Sequence, residues 1–421
     1  MKSSRILVSL LAAVLIAGCG AGGTAPASPS NGSGSNGGTG TGSGTGSGSG
    51  GTPSAANVLP IIINDPTYPD KPTVSVTVCA PGSTTNCQTI GNILLDTGSY
   101  GLRIFKQVLG GVALTPVTIN SNPVAECTVY IDNTGEWGPI QLADVTLGSE
   151  TASNVPIQII DATYFSSALP SVCKSPNVTS LDSDPGTAGY NGILGVGLFA
   201  SDCGTGCSQS ANNGSYFTCS GNSCPGAAVP VASQATNPVA LLSKDNNGVI
   251  VILPTIALGG VASISGQLIL GIGTQSNNTP AGVTVYPASP DLGEFTTTFN
   301  GATLSNSFID SGSNGLFFNA PSSLIAGCVG GDAGWYCPPA VDSFSATNIG
   351  YGSATGVLAA FMIGNADSLF NTSNSAFAEL GGTAPVGSGF DWGLPFFFGK
   401  TIYVGLDGTK SNLATGPYWA Y

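Results

Sequence analysis

An all-β chain folded as two related lobes is what three observations predict. Glycine supplies 62 of the 421 residues and only 7% are charged. Helix-forming Glu and Lys are scarce beside Val, Ile, Thr and Ser, a balance that favours strands joined by many turns. The length exceeds that of one ordinary domain and leaves room for two. An apolar strand run entering Asp-Thr/Ser-Gly-Ser, then one free position and Gly-Leu, occurs twice. It stands at 93–102 as Ile-Leu-Leu-Asp-Thr-Gly-Ser-Tyr-Gly-Leu and at 308–316 as Phe-Ile-Asp-Ser-Gly-Ser-Asn-Gly-Leu.

The composition also excludes chemistries. Histidine is absent, which removes Ser-His-Asp and Cys-His nucleophiles, His-ligated zinc and imidazole acid/base steps. The net charge is −13, with nine Lys and Arg against 22 Asp and Glu. Binding a phosphate backbone needs clustered cations, so nucleic acid is not an expected partner.

At the N-terminus, Lys2 and Arg5 precede an apolar run from Ile6 to Ile16 and then Ala17-Gly18-Cys19, the pattern of a secretion signal over 1–19. Ile16-Ala17-Gly18-Cys19 resembles the bacterial lipobox, which implies lipidation of Cys19 and a membrane anchor; an ordinary signal peptide is the other reading. Gly20 stands where a retention aspartate could have been, which favours the outer membrane. Residues 20–56 are Gly, Ser and Thr with a few Pro and Ala, a tract that cannot bury a core and reads as a flexible tether. It is uncharged, so a lysine-bearing propeptide that neutralises active-site carboxylates is not expected there.

The folded part is expected from residue 57, with a first lobe over 57–278 and a second over 279–421. Val58–Ile63 and Thr73–Val78 read as strands. Cys79 and Cys87 bracket a turn-rich segment and are expected to pair. Removing Cys19 leaves ten of eleven cysteines, enough for five disulfides in an oxidising compartment. Cys203, Cys207, Cys219 and Cys224 lie in a Gly/Asn/Ser-rich insertion. Their spacing approaches that of zinc ligands, but in an exported chain disulfides are the expectation. Cys328 pairs with Cys337, and Cys127 with Cys173 by elimination.

Asp-x-Gly also occurs at Asp184, Asp202, Asp332 and Asp391, and Asp and Gly end strands for ordinary reasons. Only Asp96 and Asp310 carry the whole frame. Two adjacent carboxyls cannot both ionise cheaply, so they share a proton. Such a pair can hold a water, one member acting as base on it while the other donates to a carbonyl oxygen. Gly98 and Gly312 allow close backbone approach. Ser99 and Ser313 can steady the carboxylates, and Thr97 and Ser311 can bond across the junction.

Further segments accompany the repeat: Tyr190-Asn191-Gly192-Ile193-Leu194-Gly195-Val196-Gly197, then Gln267 to Gly273, and Phe390 through Asp407. With these in order over 57–421, the chain resembles the pepsin-like aspartic proteases, and a bacterial lipoprotein branch more than the digestive enzymes. The resemblance implies a bilobal, all-β acid protease fold with a cleft between two β-barrel-like lobes. It implies Asp96 and Asp310 as a catalytic dyad within one monomeric chain, without metal or cofactor, acting on a polypeptide. A catalytically silent peptide- or protein-binding lipoprotein is the alternative. The family closes a hairpin bearing a tyrosine over its cleft; here the hairpin spans Cys127 to Gly138, with Tyr130 or Trp137 as the cleft-facing aromatic. Arg103 replaces the family's tryptophan. It is expected either beside the cleft, favouring ionised aspartates, or as a surface side chain with a packed stem. Asp391 stands where the second lobe usually has an apolar residue.

Overall fold

In the structure, a computed structural model that describes residues 55–385 and 387–421, strands dominate and helices are reduced to short turns. The signal segment, Cys19 and the tether as far as residue 54 lie outside the described residues. No helix among the described residues is long and apolar enough to cross a membrane.

The first strands follow their sequence pattern. In Thr73–Cys79, Val74, Val76 and Val78 are buried while Ser75 is exposed. Each such valine contributes about 1.5–3 kcal/mol on burial, and a one-residue slip would expose all three. Cys87–Asp96 begins half-exposed and ends with Ile93, Leu94, Leu95 and Asp96 all buried. Ile93 and Leu95 join one apolar cluster and Leu94 another. A strand covered on both faces needs a continuous apolar run rather than alternation.

Each half of the chain builds the same three-strand unit. Gly192–Val196 runs parallel to Cys87–Asp96 and antiparallel to Tyr100–Phe105. Asp391–Trp392 runs parallel to Ala302–Ile309 and antiparallel to Leu316–Phe317. The registers agree: Ile193 pairs with Leu94 and Asp391 with Phe308, each partner two residues before its aspartate.

An antiparallel layer joins the halves. Its strands run Val58–Ile63, Ile264–Leu270, Gly248–Leu253, Lys400–Gly405, Tyr418–Ala420 and Val285–Pro287, in that spatial order. The strands that close the chain thus share a sheet with strands from its beginning. This bilobal, pepsin-like, all-β architecture is the expected one. The second lobe is packed with aromatics: Phe390 stacks on Phe318 at 4.5 Å and on Trp392 at 4.0 Å. All five disulfides form, Cys79–Cys87, Cys127–Cys173 and Cys328–Cys337 as expected, and Cys203–Cys207 and Cys219–Cys224 within the insertion.

Candidate active site

The two Asp-Thr/Ser-Gly-Ser turns meet at the junction of the lobes. Thr97 and Ser311 lock them together reciprocally. The Thr97 amide donates to Ser311 Oγ (3.1 Å) and the Ser311 amide to Thr97 Oγ1 (2.9 Å). Their hydroxyls donate onward to backbone carbonyls of the opposite half, Thr97 to Ile309 (2.9 Å) and Ser311 to Leu95 (2.7 Å). Every one of these groups is buried, so an unmade bond would leave an unsatisfied polar atom.

Within each turn the carboxylate is held at both oxygens. Asp96 accepts from the Gly98 amide (2.7 Å) and Ser99 Oγ (2.5 Å). Asp310 accepts from the Gly312 amide (2.7 Å), with Ser313 Oγ 2.9 Å from its other oxygen. The glycines are bare because the opposite aspartate fills the space beside them. A Cβ on Gly98 would lie 2.4 Å from the Asp310 carboxyl carbon, and one on Gly312 would lie 2.7 Å from that of Asp96. Each carboxyl therefore sits against the glycine of the opposite turn, which brings the two side by side at the junction. Burial, then the charge of Asp96, then that of Asp391, hold the Asp310 carboxyl well above the usual range. Two neighbouring buried carboxyls can share one proton and orient a water.

A family model matches residues 53–421, which include both turns and the strands that carry them. The chain belongs to that family, DUF3443, described as "Protein of unknown function". No curated protein matches it. Among solved structures it is similar to the crystal structure of aspartic proteinase from Irpex lacteus. The identity is 14% and the TM-score 0.46, with 87% of this chain and 96% of that chain covered. The fold assignment rests on the duplicated half-sites and the shared layer rather than on that likeness.

In this DUF3443 chain the hairpin of Asn122–Val129 and Thr134–Leu147 brings Tyr130 into an apolar cluster with Leu94 and Ile193, beside the strand that carries Asp96. Strand parity sorts its side chains. Glu126, Thr128 and Tyr130 follow one another at every second position, and Glu136 pairs with Thr128, so all share one face. Cys127 pairs with Trp137 on the other face. Trp137 belongs to a separate apolar cluster with the Cys127–Cys173 disulfide, packing on Phe217 and donating its indole N–H to Tyr164 O (2.6 Å). Tyr130 is the aromatic on the inner face. Its hydroxyl donates to Glu136 Oε2 (2.9 Å), and Asp96 is among the charges that disfavour its ionisation, after burial and Glu136.

Arg103 is neither a surface side chain nor a free charge at the cleft. It is fully buried beneath the hairpin. Its guanidinium donates to Tyr100 O (2.7 Å), Glu126 Oε1 (3.0 Å), Thr128 Oγ1 (3.2 Å) and Asp202 Oδ2 (3.3 Å), with Glu136 Oε2 at 3.6 Å. Arg103 thus reaches Tyr130 through Glu136. One cation cannot neutralise three carboxylates. Burial opposes ionisation of Glu126, but Arg103 together with hydrogen bonds from Asp202 and Thr128 holds that carboxyl below its usual range. Burial pushes Glu136 up to about 8 despite Arg103, and burial with the Glu126 charge raises Asp202 well above its usual range.

Sequence reasoning missed Glu126, Glu136, Asp202 and Tyr68. Tyr68 is buried, its ring 5.1 Å from Lys71 Nζ, and its hydroxyl has no hydrogen-bond partner among the described residues. Asp96 and Asp310 are among the charges that raise its phenol, after burial and two other aspartates. The usable signal for the glutamates was a charged residue on the inward face of an otherwise apolar strand. Of the other Asp-x-Gly sites, Asp184 caps a short helix through the Thr187 amide (2.9 Å).

These raised carboxyls set how stability depends on pH. Glu136 is shifted from 4.5 to about 8, Glu294 to about 7, and Asp70, Asp202 and Asp391 upward, burial being the first cause for each. From about pH 4.5 to 8 the native state holds protons that the unfolded chain has released, so stability falls as pH rises through that window. Calorimetric Tm is expected to be highest near pH 5 and about 10 °C lower at pH 8.

Proposed function

We propose that this protein is an aspartic endopeptidase. The observation that carries the reading is the pair of buried carboxyls of Asp96 and Asp310, each held at both oxygens by its own turn and set against the glycine of the opposite turn. The ionised member takes a proton from a water positioned between them while the neutral member donates to the scissile carbonyl oxygen. Attack on that carbon then gives a tetrahedral diol; its collapse breaks the C–N bond as the member that took the water's proton passes it to the leaving nitrogen and a diol hydroxyl returns a proton to the other member. We further propose that the enzyme is exported as a monomer and held at a membrane by lipid on Cys19 through the 20–56 tether; five disulfides support an oxidising compartment. Incubating the full chain with an unfolded protein across pH 3–7 tests the activity, and cleavage at no pH would sink it.

One observation favours the alternative, a peptide-binding lipoprotein without turnover. Asp96 and Asp310 have no solvent-exposed surface, and the hairpin's Ile131 packs against an apolar cluster of the second lobe that includes Phe317 and Trp335. An extended substrate enters only when this tip lifts. Ile131→Ser removes apolar contact worth about 1 kcal/mol, which shifts the lifted population about fivefold. Cleavage (kcat/KM) should rise by that factor, and amides at the tip should exchange faster with deuterium. Faster exchange without any cleavage would favour the binding reading.

A further inference from the structure

The two half-sites are built alike but are not chemically equal. In the first, Ser99 Oγ bonds Asp96 Oδ2 at 2.5 Å, and the third strand presents Ile193, buried among apolar side chains that include Leu94, Phe105 and Tyr190. In the second, the strand position equivalent to Ile193 carries Asp391. Its Oδ2 lies 2.6 Å from Ser313 Oγ, while the same Ser313 oxygen lies 2.9 Å from Asp310 Oδ2. Asp391 is 2% exposed, and its Oδ1 has no hydrogen-bond partner among the described residues.

A serine hydroxyl has one proton, so it can donate to only one of two carboxylates. The other short contact then requires a carboxyl O–H donating to Ser313 Oγ. Building on the endopeptidase reading, we infer that Asp391 is a third carboxyl of the site, a positioning residue whose neutral form donates to Ser313 and directs that hydroxyl's proton onto Asp310. Burial, opposed by the Ser313 hydrogen bond, holds the Asp391 carboxyl well above the usual carboxylate range. Asp96 is the charge that adds to this, and Asp310 is linked to it through Ser313. The flanking strands Ala302–Ile309 and Leu316–Phe317 and the following turn Leu394–Phe397 carry no titratable side chain. When Asp391 ionises, Ser313 turns its proton to it, Asp310 loses that donor, and a second negative charge stands beside the dyad.

The upper limb of activity against pH thereby reports Asp391. Asp391→Asn keeps a donor for Ser313 and does not titrate. Its kcat/KM limb is expected about one unit higher and less steep than the parent's. A limb within about 0.2 unit of the parent's, or below it, would overturn the proposal. If asparagine does not fold, Asp391→Ile, the residue of the first half-site, repeats the measurement with the same expected direction. Infrared titration of the full-chain parent and variant separates this from the protease reading. The parent should show one additional protonated carboxyl band, and Asp310→Asn should shift the pH at which it disappears. If the parent cleaves nothing but that band is present and coupled, the protease reading fails and the relay stands. If it cleaves but the band is absent, the relay fails alone.

Discussion

Replacing Asp96 or Asp310 with asparagine is expected to lower cleavage of an unfolded protein about 10³-fold or more, with little loss of fold. Asparagine matches aspartate in shape, and its carbonyl can still accept the Gly98 or Gly312 amide that anchors each carboxylate. What disappears is chemical. An amide can neither take a proton from water nor share one with its neighbour, so one half of the acid/base pair is absent at every pH. The measurement is kcat/KM across pH 3–7 alongside Tm for parent and variants. Comparable cleavage by Asp96→Asn and parent would mean that the activity resides elsewhere. Gly98→Ala is not an equivalent test, because its Cβ would strike the Asp310 carboxyl and disturb the pairing itself.

Arg103→Met is expected to destabilise the protein by about 3–5 kcal/mol, the usual consequence of removing one member of a buried ionic cluster. Glu126 would then be a buried carboxylate without its cation, and its escape is to take up a proton. The loss should therefore be greatest at neutral pH and shrink toward pH 4, which a denaturation series at both values measures. The hairpin would feel it first: Glu136, Glu126 and Thr128 lie on its inner face, and Tyr130 hangs from Glu136. The structure braces the hairpin elsewhere too, through Tyr216–Thr218, Ser180–Leu181 and the Cys127–Cys173 disulfide. A loss confined to tip exchange, with global stability unchanged, would show that these braces suffice and that Arg103 serves the hairpin alone.

Arg103 illustrates where sequence reading stops. As an isolated letter in a strand it could be a surface charge or a cleft charge, because nothing local states where Glu136 or Asp202 lies. Asp202 is 99 residues away and joins it only through the fold of the insertion. The choice between Tyr130 and Trp137 was closer to legible. Period-two alternation puts residues 126, 128 and 130 together, and their shared inward face follows once Trp137 pairs with Cys127.

By itself the sequence determined the all-β class, the duplication, the two aspartates and the residues that support them. Those are properties of short patterns: apolar runs that must be buried, turns that need Asp and Gly, hydroxyls placed within three residues of a carboxylate. Only the tertiary structure decided what those patterns meet. It set Gly98 against Asp310, buried Arg103 among three acids, packed Trp137 on Phe217 and put Asp391 on the far side of Ser313. Each of those contacts joins atoms distant along the chain, and their energies depend on burial and on shared protons, which exist only after the lobes have closed on one another.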